Sequence, residues 1–212
     1  MFYKLKYILN CILECEEEWC SIKDKKKDID FAKRYVDGAI RYDDEIIHYE
    51  TIRKRQFKKV YNRFVKVSGW KSGHNILDYG CGKGYMLYLL NRYGNFASIT
   101  GLEILPELCS IARLNIIKLD VKADIIEADA REYDKIDQID IFFLFNPFPE
   151  DAMKKVVKRI SCSLERNMRK IYLIYINDVC NDIIIEKIPG IRIVEKISNM
   201  PRFGCYCSIY TN

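Results

Sequence analysis

The chain has 212 residues, 49% of them hydrophobic and 31% charged, with a formal net charge of +5. That size and balance suit one soluble globular domain with enough apolar material for a core, so no disulfide framework is needed to hold it. A surplus of +5 is too mild to demand a nucleic-acid partner, and no apolar run approaches the ~20 residues of a membrane span.

Nine cysteines are scattered without a paired CxxC, and only His48 and His74 could add imidazole ligands. Reduced, mostly buried thiols in a cytoplasmic protein are expected, and no structural zinc. The opening MFYKLKYILNCILECEEEW has lysines and a short apolar run, but Glu14 and Glu16–Glu18 follow at once. It reads as a helix that packs on the domain or on a partner, not as a signal peptide. The lysine-rich turn from Lys23 to Asp28 then marks a boundary: residues 1–28 form a helical extension and 29–212 the main domain.

Within the main domain, residues 29–72 read as a helical lead-in. From Phe31 to Val67 the spacing is helical, with Tyr49, Ile52, Gln56, Phe57, Val60, Tyr61 and Phe64 near one face and the arginines and lysines from Arg53 to Lys66 on the other. A second basic stretch, Lys154, Lys155, Lys158 and Arg159, alternates with Met153, Val156, Val157, Ile160 and Leu164. Those cations read first as the solvated side of an amphipathic helix, and second as a patch for an anionic partner.

Residues 73–212 alternate short apolar strands with amphipathic helices. The strands fall at Asn75–Tyr79, Ser98–Glu103, Asp124–Glu127, Ile139–Phe145, Lys170–Ile176, Ile191–Ile197 and Cys205–Tyr210. The helices fall at Gly84–Tyr93, Pro106–Ile117, Asp151–Leu164 and Asp178–Glu186. Such alternation predicts a mostly parallel sheet with helices on both faces, whose ligand lies beyond the carboxyl ends of the strands.

The chemistry-bearing residues all sit at such ends. The first strand runs into Asp78-Tyr-Gly-Cys-Gly-Lys-Gly84 and then a helix. A dinucleotide loop of the GxGxxG kind would place its third glycine at position 85, where Tyr85 stands. An acid beside the loop would also oppose a pyrophosphate, whereas it suits a cationic adenosine ligand such as S-adenosylmethionine (SAM), with its sulfonium and ammonium. Glu103 ends the second strand about 20 residues beyond the loop, where a carboxylate can accept from both ribose hydroxyls. Asp129 and Ala130 follow the third strand, placed for an adenine amino group and a ring nitrogen.

In this spacing the chain resembles the class I, Rossmann-like, SAM-dependent methyltransferases, over roughly Gly73 to Tyr210. The resemblance implies a three-layer α/β sandwich with N-terminal helices and a seven-stranded, mostly parallel sheet whose last strand is antiparallel. It also implies that Asp78, Tyr79, Gly80, Cys81, Gly82, Gly84, Glu103, Ile104, Asp129, Ala130 and Asn146 line SAM, with no metal in the site.

The fourth strand ends in Asn146-Pro147-Phe148-Pro149. It resembles the Asn-Pro-Pro-aromatic motif of methyltransferases acting on planar amino groups, except that Phe148 stands where the second proline would. It is also similar to the Asn-Pro-Phe of a set of bacterial SAM-dependent methyltransferases. Asn146, Pro147 and Phe148 are therefore the acceptor-side candidates. Methyl transfer is an in-line displacement that needs a base only when the acceptor must lose a proton. His48 is the candidate base, and Tyr42 and Tyr49 could line the acceptor pocket. A small metabolite or sugar precursor is the favoured acceptor. An amino group of nucleic acid or protein is the alternative, and a non-catalytic SAM-binding module a third reading.

Overall fold

In the computed structural model of the chain, the described residues are 52–145, 148–198 and 206–212, together with two short backbone strands at 40–42 and 45–47. These strands, β1 (Ile40–Tyr42) and β2 (Glu45–Ile47), pair antiparallel with Tyr42 opposite Glu45. They correct the expectation of helix throughout Phe31–Val67. Ile40, Ile46 and Ile47 are β-branched and prefer an extended chain, a local preference that the wider helical spacing concealed. The expected helix within residues 1–28 lies outside the described residues.

Helix α1 (Lys54–Ser68) is the part of the lead-in that keeps the helical period. Its first turn is held by the Arg53 N–H donating to Gln56 Oε1 at 3.1 Å, and it ends at Gly69, whose φ of 64° is the left-handed stop favoured by glycine. Phe57, Val60 and Phe64 are buried on its inner face. Its outer cations reach the sheet edge, where Lys59 Nζ donates to the Ser198 carbonyl at 3.1 Å and Arg63 pairs with Glu195 at 3.0 Å.

The main sheet has seven strands: β3 (Asn75–Tyr79), β4 (Ser98–Glu103), β5 (Asp124–Glu127), β6 (Ile141–Phe145), β7 (Tyr172–Ile176), β8 (Arg192–Ile197) and β9 (Cys207–Thr211). Their spatial order is β5-β4-β3-β6-β7-β9-β8. Strands β3 to β7 pair in parallel, and β9 runs antiparallel to both of its neighbours. The chain order reverses between β3 and β6, so the crevice of the sheet opens at their carboxyl ends.

Both faces of the sheet are apolar, as a doubly covered sheet requires. Ile76, Ile141, Phe143, Tyr172 and Ile174 pack with α1 and with α2 (Tyr85–Tyr93). The alternate residues Leu77, Tyr79, Phe142, Leu144 and Leu173 pack with α4 (Glu150–Arg166) and α5 (Asn181–Lys187). Helix α3 (Pro106–Lys118) covers β4 and β5, with Pro106 in its first turn, where a missing N–H costs nothing. Helix α5 begins three residues later than the spacing suggested. Asn177 takes a positive φ of 61° and donates to the Tyr206 carbonyl, so the chain turns before the helix can start. Among the described residues no helix is long and apolar enough to cross a membrane.

Candidate functional site

The loop between β3 and α2 is fastened to the neighbouring strand. The N–H groups of Gly80 and Cys81 both donate to the Leu102 carbonyl, at 2.8 and 3.0 Å. Gly82, at φ 53°, donates its N–H to Glu103 Oε2 at 2.9 Å. Gly84 caps α2 in the left-handed conformation, and a Cβ there would come 3.4 Å from that of Ala112. The third glycine therefore lets α2 begin close against α3.

Glu103 is 7% exposed and its carboxylate is heavily used. Besides Gly82 it accepts from the N–H groups of Ile104 and Leu105, at 2.9 and 3.0 Å on Oε1. Burial raises its pKa, against the pull of those three backbone donors. One lone pair of Oε2 is left for a ligand hydroxyl. Glu103 is thus the clamp of the glycine loop as well as the expected ribose acceptor, a role the sequence reading missed.

Asp78 is 3% exposed, and its carboxylate accepts no hydrogen bond from the described residues. Burial, followed by the nearby charge of Glu103, holds its pKa well above the usual carboxylate range. Two buried acids at one loop, one of them without a donor, make a site that gains from a positively charged ligand. Burial also pushes the thiols of Cys81 and Cys109 upward, with Asp78 and Glu103 adding to the first and Glu103 to the second, the latter to about 11. Neither thiol is a nucleophile in this setting.

Asp129 stands in a different environment. Its side chain is 22% exposed and that of Arg131 25%, and Arg131 donates from Nη2 and Nε to Oδ2 at 2.7 and 2.8 Å and from Nε to Oδ1 at 3.0 Å. The Arg131 N–H adds a bond of 2.8 Å to Oδ1. Burial acts to raise the Asp129 pKa, but the bonds from Arg131 outweigh it and hold the carboxyl below its usual value. Ala130 is buried beside it.

The remaining sequence candidates separate into two groups. Tyr79 stacks on Phe142, with ring centroids 6.1 Å apart, and receives the edge of Phe148 at 5.9 Å. Both Tyr79 and Phe148 thereby belong to the packing under α4. Ile104 packs with Leu105 and Leu108 at the start of α3. The structure gathers Asp78, the glycine loop, Glu103 and Ile104 around the β3 and β4 ends, with Asp129 and Ala130 beyond β5. His48, Tyr49, Asn146 and Pro147 lie outside the described residues, and Tyr42 is described only as the end of β1.

Two positions that support the site were overlooked in the sequence. Gly101, inside β4, leaves room for the loop, since a Cβ there would lie 2.6 Å from Cys81 Sγ and 2.8 Å from Leu87 Cδ1. An isolated glycine within a strand pattern is the signal that could have found it. Asn115, buried on α3, donates to the Lys83 carbonyl at 3.0 Å and ties the loop from the helix side. A polar amide at a helix position that also fits the apolar stripe is the corresponding sign.

The strand order and the placement of the loop define the Rossmann-like methyltransferase fold. Residues 76–167 match the model of a family described as "Methyltransferase domain". No curated protein matches the sequence. Among solved structures, the chain is similar to a mutant of MtNAS in complex with S-adenosylmethionine, with 15% identity and a TM-score of 0.57, covering 74% of this chain and 61% of that one. It is also similar to an S-adenosylmethionine-dependent methyltransferase from Clostridium acetobutylicum ATCC 824, with 10% identity and a TM-score of 0.60, covering 76% and 92%. A third is the PH0226 protein from Pyrococcus horikoshii OT3, with 15% identity and a TM-score of 0.56, covering 74% and 89%. The chain thus spans about 61% of the length of the MtNAS chain that it resembles.

Proposed function

We propose that this chain is a SAM-dependent methyltransferase. One observation carries the reading: Asp78 is buried beside a second acid, without a hydrogen-bond donor among the described residues, at a loop of positive-φ glycines. That donor set fits a ligand bearing both an adenosine and positive charge. Asp78 would meet the cationic methionine end, with Gly80, Cys81, Gly82 and Gly84 presenting backbone. Glu103 would use its remaining lone pair on the ribose, and Asp129 with Ala130 would face the adenine. When bound, SAM supplies an electrophilic methyl group on a sulfonium.

The protein's share of the reaction is alignment. The loop is fixed by Leu102, Glu103 and Asn115, so the SAM that it would hold is presented from a fixed floor at the ends of β3 and β4. Asn146 and Pro147 are proposed for the acceptor side, and His48 as the base where the acceptor is a hydroxyl. The ring of Phe148 is engaged against Tyr79, which favours a small-metabolite or sugar-precursor acceptor over a planar amino group stacked on that ring.

Calorimetry tests the cofactor. SAM should bind the intact chain, while Asp78→Ala and Gly82→Val should remain folded and lose that binding. Unchanged affinity in both variants, or binding of NADH in place of SAM, would overturn the assignment.

A further inference from the structure

The basic stretch of α4 divides in the structure into two parts with different surroundings. Lys154 is neutralised at the helix start, by Glu150 at 2.8 Å and Asp151 at 3.2 Å. Lys155, Lys158, Arg159, Cys162 and Arg166 instead share one stripe, spaced as one side of a helix, and line a cavity of about 370 Å³. Its opposite wall is the segment after β5, with Arg131, Glu132 and Asp134. This is a concave site within the ~300–1,000 Å³ range of small-molecule pockets, not a convex solvated face.

Its three arginines are held in place. Arg131 is fixed by Asp129, and Arg159 by the Arg131 carbonyl and, at 2.7 Å, by Glu132. Arg166 is fixed by Asp137 at 2.7 Å. Lys155 and Lys158 are exposed residues of its lining and form no ion pair among the described residues, although Lys155 lies near enough to Asp129 to help lower its pKa. Five cations line it against two carboxylates, and one positive charge is left over even when Asp129 and Asp137, which tie two of the arginines, are counted. Held guanidinium groups make a rigid rim, and compact, mobile ammonium groups suit a charge-dense oxyanion.

We propose that this cavity binds the phosphate group of a small phosphorylated molecule, with Lys155 and Lys158 as its principal contacts. The cavity lies outside the glycine loop, with Arg131, the partner of Asp129, in its wall, and a test by phosphate binding does not require methyltransferase activity.

The test titrates inorganic phosphate, pyrophosphate and glucose 6-phosphate into the full chain by calorimetry at fixed ionic strength. The phosphates should bind, and glucose 6-phosphate at least as tightly as inorganic phosphate. The exposed double variant Lys155→Ala/Lys158→Ala should bind about tenfold or more weakly, and Lys154→Ala within about twofold of the parent chain. Bound pyrophosphate should also slow alkylation of Cys162, followed by mass mapping of its peptide. Absence of binding, or equal binding by the double variant, would overturn the proposal. Binding of a short single-stranded RNA that neither phosphate nor glucose 6-phosphate displaces would overturn it as well, by assigning the patch to nucleic acid.

Discussion

Glu103 and Asp129 occupy matching places, each at or just beyond the carboxyl end of a parallel strand, yet their surroundings drive them in opposite directions. Glu103 is enclosed and served by three backbone N–H groups, with burial raising its pKa. Asp129 is partly open and served by one arginine, with its pKa held down. A strand end therefore fixes where an acid stands, and its immediate neighbours fix what charge it keeps and what else it must hold. Glu103 carries structure and Asp129 carries an ion pair.

The sharpest way to break that contrast is to remove Glu103. Glu103→Ala leaves two buried donors and the part-buried Ile104 N–H without an acceptor, and at ~1–3 kcal/mol for each buried one it should cost at least ~2 kcal/mol in denaturant unfolding. Glu103→Gln should lose less, since its carbonyl oxygen can still serve Ile104 and Leu105. A loss of ~1 kcal/mol or less for the alanine variant would reduce Glu103 to an ordinary surface-type acid. Next comes Gly101→Ala, whose Cβ would press on Cys81 and Leu87. An overpacking cost of ~1–3 kcal/mol is expected, read as a lower Tm.

Asp78→Asn should act in the other direction. The carboxyl holds its proton more firmly in the folded chain than in the unfolded one. Its contribution therefore favours folding at low pH and is lost as pH rises from the usual carboxylate pKa towards the raised one. At neutral pH the amide should raise the Tm of the ligand-free protein, by ~1 kcal/mol of stability, while weakening SAM about tenfold or more. By the same linkage, SAM affinity should fall on acidification at a pH above the usual carboxylate range.

The smallest effect is expected from Arg131→Ala, under ~1 kcal/mol, because the pair is partly exposed. Asp129 has a lowered folded pKa, so the stability supplied by Arg131 is present at neutral pH and disappears as pH falls through that value. The variant should lose this acid limb, and carboxyl NMR should show Asp129 titrating higher than in the parent chain.

Much of the fold was legible because its signals are local and periodic. β3, β4 and β5 carry the expected bounds, since turn residues bracket short apolar runs there. The lead-in was misread where Ile40 to Ile47 satisfied two periods at once, and the local one prevailed. The loop and its acids could be found because glycine spacing and strand-end carboxylates are one-dimensional patterns. The salt bridge of Arg131, two residues from Asp129, could be read from the sequence as well, whereas the bond from Gly82 to Glu103 and the closeness of Gly101 to Cys81 could not, because each joins residues distant in the chain. The split between Lys154 and its neighbours on α4 was hidden for the same reason, as it depends on a wall supplied by the segment after β5.

The pairing of Asp129 with Arg131 has a consequence for selectivity. In the proposed role of Asp129, an adenine amino group must displace a competitor tethered two residues away. A short tether gives that competitor an effective concentration on the order of millimolar or more. Exchange of one set of hydrogen bonds for another yields little net affinity, so this corner should tolerate cofactor analogues altered at the adenine amino position. Discrimination would then rest on the enclosed end of the crevice, at Asp78 and Glu103.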